Sequence, residues 1–563
     1  MNRLLLRFSI SIMMLLMSLN LSVPNRSVRA EGSNGYLPDE VILKLVRSTD
    51  VASVASDYGL GLNPLAQFGS RPIFRMLITD GASPPDRAAE LSADPRVVYA
   101  EPNFIGRAPE GVQRISWPKG EESKDYKEQW AAGMIRLPEA HTVTRGAGIT
   151  VAVLDTGVDL THPALAGRLV SGYDFVDDDA DPREVGASDQ NPNYGHGTHV
   201  AGLVALVAPE ARIMPVRVLD ADGAGDIWVL AEALAYAINP DGDLSTADGA
   251  DVINLSLSTT HRTDLLNEIV AGVTCEQDDD QGEDDDCLVG PNQHGAVVVA
   301  AAGNSGSSTP EYPAAEGVVG SLAVGASTRS DTLASFSNYG SWVHVAAPGE
   351  AILSSVPDGE YAAWSGTSMA TPLAAGEAAL VRAANPDFTA DSVVGQIISK
   401  SEDIGGPVPH RIDVAAALGI PIMGEYRCTG TARYITADNL LVPSGKTCNL
   451  AGARIKGTVK VEDGATLNAS GIYVKGSLQA KKAASVNISD STFAGSVEVE
   501  EGGSAQLYGA QVMGDAKFVK NTGSLIISNN TIKGNLHCKE NSLMPTGGGN
   551  LVQGNKEEQC SGL

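Results

Sequence analysis

Basic residues are few in this sequence for its size. The 563 residues include 40 lysines and arginines against 68 aspartates and glutamates, which gives a formal net charge of −28. A protein that binds nucleic acid needs a basic face that neutralises phosphates. The charge balance therefore excludes nucleic acid as an expected partner, and the acidity itself favours solubility.

Cysteine is also scarce, and no Cys-x-x-Cys motif occurs. This absence argues against a structural zinc site and against a thioredoxin-like redox site. An even number of cysteines in an exported chain indicates disulfides. The clustering of the six cysteines favours the pairs Cys275–Cys287, Cys428–Cys448 and Cys538–Cys560 over the other pairings.

Long apolar runs are absent beyond the N-terminus. Residues 1–30 have the features of a secretory signal: a basic start, the apolar run Phe8 to Val23, and the small residues Val28 and Ala30 at its end. A transmembrane anchor is the competing interpretation, but the apolar run is short and contains serines. We therefore predict an exported protein without a membrane span.

The segment after this signal has the pattern of a small α+β unit. Alternating apolar residues and helix-like stretches predict the order β-α-β-β-α-β over residues 35–105, which fits a ferredoxin-like fold. The next twenty residues, 106–125, are rich in glycine, proline and charge, and this composition is typical of an exposed connector.

From about residue 126 the pattern changes to buried strands that alternate with helices. Continuous Val, Ile and Ala strands of this kind predict a parallel sheet covered on both faces by helices. The predicted strands are 149–155, 213–219, 252–256, 296–301 and 321–326, and the clearest helices are 196–208 and 227–238. Chemistry in such sheets lies at the carboxyl ends of the strands, where Asp155 stands.

The C-terminal residues 424–563 carry an internal repeat. Glycines recur at intervals of 19, 19, 19 and 20 residues, at Gly457, Gly476, Gly495, Gly514 and Gly534, and apolar residues keep the same step. We interpret this as a right-handed parallel β-solenoid with one coil per repeat, whose last coil is closed by Cys538 and Cys560. A β-sandwich is the alternative, but it does not predict a fixed period.

Four polar residues occupy positions suited to catalysis. Asp155 follows a strand, His196 opens an apolar helix, Asn304 follows a strand, and Ser368 precedes an alanine-rich helix. A serine at a helix N-terminus lies beside free backbone N–H groups, a histidine held by a carboxylate is a general base, and an asparagine amide can donate to an oxyanion.

Each of these residues also has a structural interpretation. Ser368 has the position of a helix N-cap, and Asp155 and Asn304 have positions common in turns. Asp155-Thr156-Gly157 also occurs in aspartic proteases, but that chemistry needs a second such motif after a strand. His196 and His199 form a possible metal pair without a third ligand, and a buried structural histidine is the preferred interpretation of His199.

The local sequences and their order resemble the subtilisin-like serine proteases (subtilases, peptidase S8). The residues that carry the resemblance are Val153-Leu154-Asp155-Thr156-Gly157-Val158, His196-Gly197-Thr198-His199-Val200-Ala201-Gly202, Ala302-Gly303-Asn304 and Gly366-Thr367-Ser368-Met369-Ala370-Thr371-Pro372. The resemblance covers about residues 126–418 and implies a subtilisin-like α/β fold. Residues 36–103 also resemble the inhibitory propeptide of this family.

The resemblance implies roles for individual residues. Ser368 is the expected nucleophile, His196 its base, Asp155 the group that orients the base, and Asn304 the oxyanion donor together with the backbone N–H of Ser368. One expected wall of the substrate pocket is Ser256, Leu257 and Ser258, and the other is Ala301, Ala302 and Gly303. Small walls without an evident charge predict a broad preference for uncharged side chains.

Two acidic segments stand out. Asp174, Asp177, Asp179 and Asp181 place hard oxygen ligands in one loop, and the resemblance makes structural calcium (Ca²⁺) a reasonable expectation there. An exposed acidic turn is the alternative. The acidic residues between Cys275 and Cys287 form either a calcium-tightened or substrate-steering insert or a solvated surface loop.

The sequence as a whole predicts a secreted, monomeric serine endopeptidase made as a self-inhibited zymogen, with proteins or peptides as substrates and its own propeptide as inhibitor. The predicted domains are a signal peptide (1–30), an inhibitory propeptide (31–115), a catalytic domain (116–423) and a β-solenoid (424–563). The alternatives are an adhesin that acts through its solenoid and a catalytically silent scaffold. Glu377, in the apolar helix after Ser368, is expected to find a partner or to reach solvent.

Overall fold

The computed structural model describes residues 35–109, 118–119, 123–243, 246, 248–275, 287–288, 294–421, 423–433 and 435–563. The predicted signal peptide, residues 1–30, lies outside these ranges, as does the whole acidic segment between Cys275 and Cys287. In the part of the chain that is described, no helix has the length and apolar character needed to cross a bilayer.

The N-terminal unit is an antiparallel sheet with two helices. The chain runs through β1 (Tyr36–Leu45), α1 (Val51–Asp57), β2 (Ala66–Gln67), β3 (Ile73–Leu77), α2 (Pro84–Leu91) and β4 (Val97–Arg107). The strands lie in the order β2-β3-β1-β4. Val41 and Leu43, two residues apart on β1, are buried with Phe74 and Leu91. The apolar residues that alternate in the sequence therefore form the core of this unit.

The second unit is built on a nine-stranded sheet. Its strands and the smaller strands around it are β5 (Pro118–Lys119), β6 (Thr150–Asp155), β7 (Tyr173–Asp174), β8 (Arg212–Arg217), β9 (Ala224–Asp226), β10 (Val252–Leu255), β11 (Val297–Ala301), β12 (Ser321–Ser327), β13 (Val345–Pro348), β14 (Ile352–Val356), β15 (Glu360–Trp364), β16 (Glu402–Asp403) and β17 (His410–Arg411). The order in the sheet is β16-β17-β13-β12-β11-β10-β6-β8-β7, and β6, β8, β10, β11, β12 and β13 are parallel.

Helices cover both faces of this sheet, as the sequence predicts. They are α3 (Ser123–Lys127), α4 (Trp130–Met134), α5 (Leu137–Ala140), α6 (His196–Val207), α7 (Ile227–Ile238), α8 (Asp264–Thr274), α9 (Thr367–Ala384), α10 (Ala390–Lys400) and α11 (Val414–Ala417). Helices α6 and α9 pack on one face, and α7 and α8 pack on the other. Since both faces are covered, the residues of β6, β10 and β11 are buried throughout.

The C-terminal region consists of short strands that stack in parallel. They are β18 (Met423–Arg427), β19 (Thr431–Arg433), β20 (Thr436–Val442), β21 (Thr447–Ala451), β22 (Arg454–Ile455), β23 (Val459–Val461), β24 (Thr466–Ser470), β25 (Tyr473–Val474), β26 (Leu478–Lys481), β27 (Ser485–Ser489), β28 (Thr492–Phe493), β29 (Val497–Glu500), β30 (Ser504–Tyr508), β31 (Gln511–Val512), β32 (Ala516–Val519), β33 (Leu525–Ser528), β34 (Thr531–Ile532), β35 (Leu536–Lys539), β36 (Thr546–Gly548), β37 (Leu551–Val552) and β38 (Lys556–Glu558).

The pairing of these strands follows the sequence repeat. Val459 pairs with Leu478, Leu478 with Val497, and Val497 with Ala516, so each repeat lies directly on the one before it. A Cβ atom on Gly476 would lie 2.4 Å from the carbonyl oxygen of Gly457, which explains why this column of the repeat is glycine. The stacking is compatible with the predicted solenoid.

The three predicted disulfides are confirmed. Cys275–Cys287, Cys428–Cys448 and Cys538–Cys560 are all formed. Within the described residues no cysteine is left free.

A buried ionic group joins the C-terminal stack to the central sheet domain. Asp331, on the central domain, accepts hydrogen bonds from Arg411 (2.7 Å) and from Arg454 of the stack. All three side chains are almost completely buried. Despite burial, which raises the pKa of a carboxyl group, the two guanidinium groups lower the pKa of Asp331.

Candidate active site

Asp155 and His196 meet at the carboxyl edge of the central sheet. Asp155 is the last residue of β6, and His196 is the first residue of α6. The Nδ1 atom of His196 lies 2.7 Å from Oδ1 of Asp155, and both side chains are fully buried. With Nδ1–H donating to the carboxylate, the histidine presents Nε2 as an acceptor of protons.

The close approach of α6 to this edge depends on a glycine. A Cβ atom on Gly197 would lie 2.1 Å from the carbonyl oxygen of Gly157 and 3.1 Å from the Cβ of Asp155. Only glycine therefore lets the helix begin directly against the Asp155-Thr156-Gly157 turn.

Ser368 is the second residue of α9, after the N-cap residue Gly366. Its hydroxyl donates to the carbonyl oxygen of Ser256 at 3.2 Å, and the Ser256 hydroxyl donates back to the carbonyl oxygen of Ser368 at 3.0 Å. The N-terminus of this 18-residue helix places a positive potential beside the serine.

Asn304 is fixed by the residue that precedes Ser368. Its Oδ1 accepts hydrogen bonds from the backbone N–H of Thr367 (2.9 Å) and from the Thr367 hydroxyl (3.0 Å). The same hydroxyl accepts from the N–H of Gly303 at 3.1 Å. Since Oδ1 serves as an acceptor, Nδ2 is the donor that the Asn304 side chain presents.

The end of the N-terminal unit lies across this edge as an antiparallel strand. Arg107 and Ser258 exchange two backbone hydrogen bonds of 2.9 Å, and the N–H of Ala108 donates to the carbonyl oxygen of Gly223 at 2.9 Å. On its other side Gly106 pairs with Gly225 of β9. The chain thus runs between two segments of the central domain, in the manner of a bound peptide strand.

Comparison with known proteins identifies the family. The sequence model of the subtilase family, peptidase S8, matches residues 146–415. A thermophilic serine proteinase from Bacillus sp. (strain AK1) is 41% identical over 303 residues, which are 52% of this chain and 64% of that protein. Thermitase from Thermoactinomyces vulgaris is 38% identical over 288 residues, which are 49% of this chain and 90% of thermitase. The chain belongs to the subtilase family.

The predicted enzyme class is therefore confirmed, because the subtilases that match are serine proteases. The chain of a solved structure described as a cold adapted subtilisin-like serine proteinase is 34% identical, and the match covers 48% of this chain and 88% of that one at a TM-score of 0.39. The matches cover about half of this subtilase.

A further carboxylate, that of Glu184, forms hydrogen bonds with residues close to Asp155 and His196 in this subtilase. Glu184 Oε1 accepts from the Thr156 hydroxyl at 2.5 Å, and its Oε2 accepts from the hydroxyl (2.8 Å) and the N–H (3.1 Å) of Thr198. The Thr156 hydroxyl also lies 3.3 Å from Oδ1 of Asp155. Burial, with a smaller contribution from the nearby Asp155 charge, raises the pKa of Glu184 to about 7, although its hydrogen bonds lower it. No motif in the sequence marks Glu184, because it lies in an irregular loop.

The contacts of the four acids in the predicted calcium loop test whether they fit the ion. Arg217 donates to Oδ2 of Asp174 (2.6 Å) and to Oδ2 of Asp177 (2.5 Å), while Asp181 pairs with Arg183. The four predicted ligands, which include Asp179, therefore do not converge, and the guanidinium group already occupies the space between two of them. Within the described ranges no group of three or more acidic, histidine or cysteine side chains is arranged to hold a metal. The residues present do not fit a calcium ion here.

His199 has the contacts of a buried structural residue. His199 donates to or accepts from the carbonyl oxygen of Ala362 at 3.1 Å and stacks on Trp364, and burial lowers its pKa to about 3. Its structural interpretation agrees with these contacts.

The expectation for Glu377 was wrong. The side chain is fully buried and has no hydrogen-bond partner among the described residues. Burial raises its pKa well above the usual range, with a further contribution from Asp413, and so favours the neutral, protonated form in the apolar core.

Proposed function

We propose that this subtilase is a secreted serine endopeptidase that cuts peptide bonds through Asp155, His196 and Ser368. The observation that carries the proposal is the 2.7 Å contact of His196 with Asp155, at the same sheet edge as the helix N-terminus that bears Ser368. A histidine that is oriented by a carboxylate, together with a serine at a helix N-terminus, is the arrangement that activates a serine nucleophile.

The reaction follows from these positions. Ser368 Oγ attacks the carbonyl carbon of the scissile bond while Nε2 of His196 takes the hydroxyl proton. The oxyanion that forms is stabilised by Asn304 Nδ2 and by the backbone N–H of Ser368, and the proton then passes to the leaving amine. A water molecule then attacks the acyl carbonyl carbon while His196 takes its proton. The proton passes to Ser368 Oγ, and the acyl group is released as a carboxylic acid. Loss of the Asn304 donor is expected to lower kcat by about 10²–10³.

We also propose that residues 31–115 are a propeptide that inhibits the enzyme before activation. Continued by two residues, the antiparallel register of Arg107 with Ser258 would set Pro109 opposite Ser256, which contacts Ser368. We therefore propose a first cut after Pro109, inside the range 31–115, with later trimming of the remaining residues. The propeptide occupies the strand position that a substrate needs, and so substrate binds only after it leaves.

The remaining domains complete the proposal. Residues 1–30 direct secretion, residues 116–423 form the catalytic domain, and residues 424–563 form a right-handed solenoid that binds or spaces the enzyme. Three disulfides agree with an oxidising extracellular location.

A serine-directed fluorophosphonate tests the catalytic proposal. We expect the purified mature protein to be labelled at Ser368, and the variants Ser368→Ala and His196→Ala to remain unlabelled. Asp358→Asn, an exposed acid in another loop, is the matched control and should label as the wild type does. An unlabelled wild-type protein that has lost its propeptide would refute the mechanism.

Mass spectrometry tests the zymogen proposal on the same samples. We expect the wild-type chain to begin at Glu110 or beyond, and the Ser368→Ala chain to retain residues 31–109. A Ser368→Ala chain that is processed as completely as the wild type, in the absence of other proteases, would contradict self-processing.

A further inference from the structure

One buried acid lies between the two walls of the expected substrate pocket. Strands β10 and β11 are neighbours, with Leu255 paired to Ala300, and the two walls continue from their carboxyl ends. Glu311 comes from a later loop that is held against the first wall, because Thr259 and Tyr312 exchange two backbone hydrogen bonds of 2.8 Å. No motif in the sequence marks Glu311, which is more than 50 residues from the nearer part of that wall in the chain.

The contacts of Glu311 place its carboxylate in the crevice itself. Its Oε2 accepts from the hydroxyl of Ser258, on the first wall, at 2.5 Å. A Cβ atom on Gly303, in the second wall, would lie only 2.3 Å from the same oxygen. The carboxylate therefore touches both walls, and the absence of a side chain at Gly303 leaves the space in which it lies.

Glu311 has hydrogen bonds but no counter-charge. Its Oε1 accepts from Asn338 Nδ2 at 2.8 Å and from the Ser305 hydroxyl at 3.2 Å. All three donors are neutral, and no lysine or arginine of the described ranges forms an ion pair with it. The residue is only 7% exposed. A carboxylate can accept about four hydrogen bonds, so a charged donor can still be added.

We infer that Glu311 selects substrates whose P1 side chain, the one on the acyl side of the scissile bond, is lysine or arginine. The inference rests on the proposed function, because it concerns the same cleft. A guanidinium or ammonium group in this crevice would supply both the missing charge and further donors. An apolar P1 side chain would instead remove water from the carboxylate without supplying a hydrogen bond or a counter-charge. This replaces the expectation of an uncharged preference.

The propeptide does not follow this preference, since the strand register presents Pro109 at the pocket. A tethered segment has a high effective concentration and does not need a favourable P1 residue to be cut. Free substrates have no such advantage, and selection by Glu311 applies to them.

The test uses the activated full-length enzyme and peptide p-nitroanilides that differ only at P1. We expect kcat/KM for arginine and lysine to exceed that for leucine, and Glu311→Gln to lower the arginine-to-leucine ratio about tenfold to a hundredfold. Glu350→Gln removes an exposed acid instead and should leave the ratio unchanged. Equal ratios in Glu311→Gln and the wild type, or a wild-type preference for leucine, would overturn the inference.

Inhibition of the wild-type enzyme provides a readout that does not depend on the folding of a variant. We expect benzamidine to compete with substrate at least tenfold more strongly than benzamide, its neutral analogue. Equal inhibition by the two compounds would count against a cation site. Fluorophosphonate labelling of the same sample separates the two proposals, since an enzyme that labels normally without a basic preference refutes only the role of Glu311.

Discussion

At the scale of single residues, Thr156 has one hydroxyl hydrogen and two carboxylates near it. The hydroxyl lies 2.5 Å from Glu184 and 3.3 Å from Asp155. When Glu184 is ionised, the hydroxyl donates to Glu184. When Glu184 is protonated, it can donate to the hydroxyl instead, and the hydrogen of Thr156 turns toward Asp155. The protonation state of Glu184 therefore affects the Asp155–His196 pair through the hydroxyl of Thr156.

We predict that Glu184→Gln shifts the acid limb of the pH profile of kcat/KM to lower pH. Ionised Glu184 adds a negative charge near His196 and so favours its protonated form; glutamine, a mimic of protonated Glu184, removes that charge. With an effective dielectric constant typical of proteins, the shift is about 0.5–1 pH unit. Steady-state kinetics from pH 5 to 9 measures it.

Asp181→Asn is the matched control, because it removes a nearby acid that does not contact Thr156. A limb that moves equally in both variants would show only a general effect of net charge. A limb that stays in place in Glu184→Gln would contradict the coupling.

Glu377 gives a prediction about stability. Its folded-state pKa is raised above the unfolded value of about 4.5, so the folded chain holds a proton that the unfolded chain releases. Stability is therefore lost as pH rises above about 4.5 toward the folded pKa. We expect Glu377→Leu to raise the free energy of unfolding by about 1–3 kcal/mol at pH 7 and to flatten this fall.

Urea unfolding of Ser368→Ala chains at pH 5 and pH 8 checks this prediction. The exposed substitution Glu350→Gln is the control and should keep the wild-type slope. Equal pH dependence in Glu377→Leu and the wild type would mean that Glu377 is not the group responsible.

At the scale of elements, strand β4 shows what local sequence leaves out. The alternation of residues predicts a strand over 97–103, but the strand continues to Arg107. The added residues, which include Gly106, have the composition of a connector. They form a strand because they pair with β9 and with Ser258 of the next domain. Pairing with a distant segment extends a strand that its own residues do not specify.

Other elements could be predicted closely because one local force dominates them. Strands β6, β10 and β11 are mostly apolar and buried throughout, and each lies within one or two residues of its predicted bounds. The roles of Glu184, Glu311 and Arg217 could not be predicted, because each depends on contacts with residues far away in the chain. Arg217, for example, is 43 residues from Asp174 and changes a loop of expected metal ligands into an ion pair.

Glu101 on β4 joins the N-terminal unit to helix α8. Its two carboxylate oxygens accept from the first N–H groups of that helix, Asp264 (2.7 Å) and Leu265 (3.1 Å). We predict that Glu101→Ala weakens retention of the propeptide by about 1 kcal/mol, the typical contribution of a helix cap. Proteolytic activity should then appear several-fold faster after refolding of the full chain.

The substitution Glu90→Ala, at an exposed position of the same unit, should leave the time course of activation unchanged. If Glu101→Ala and Glu90→Ala activate at the same rate, the cap does not contribute to retention.

At the scale of the whole molecule, Asp331 couples the central sheet domain to the C-terminal stack. Replacement by asparagine leaves the buried guanidinium groups of Arg411 and Arg454 without a counter-charge, which costs about 3–5 kcal/mol in such sites. We expect Asp331→Asn to lower the Tm of the Ser368→Ala chain and to separate the unfolding of the two domains in calorimetry.

The double variant Asp331→Asn with Arg454→Met removes one of the two unpaired charges and should recover part of the lost stability. A double variant less stable than Asp331→Asn alone would show that the charge pairing is not what joins the domains. Because the folded pKa of Asp331 is lowered, its contribution is present above the unfolded pKa and is lost as pH falls through the folded value.

The stacked repeats make the length of this protein adjustable in whole steps. Each coil contacts only the coil before it and the coil after it, and neighbouring strands lie about 4.8 Å apart. Deleting residues 477–514 would join Gly476 to Asp515 in register and shorten the stack by about 10 Å, while the contact at Arg454 and the closing disulfide Cys538–Cys560 stay as they are. The number of coils thus sets the distance between the central domain and a partner bound at the far end of the stack.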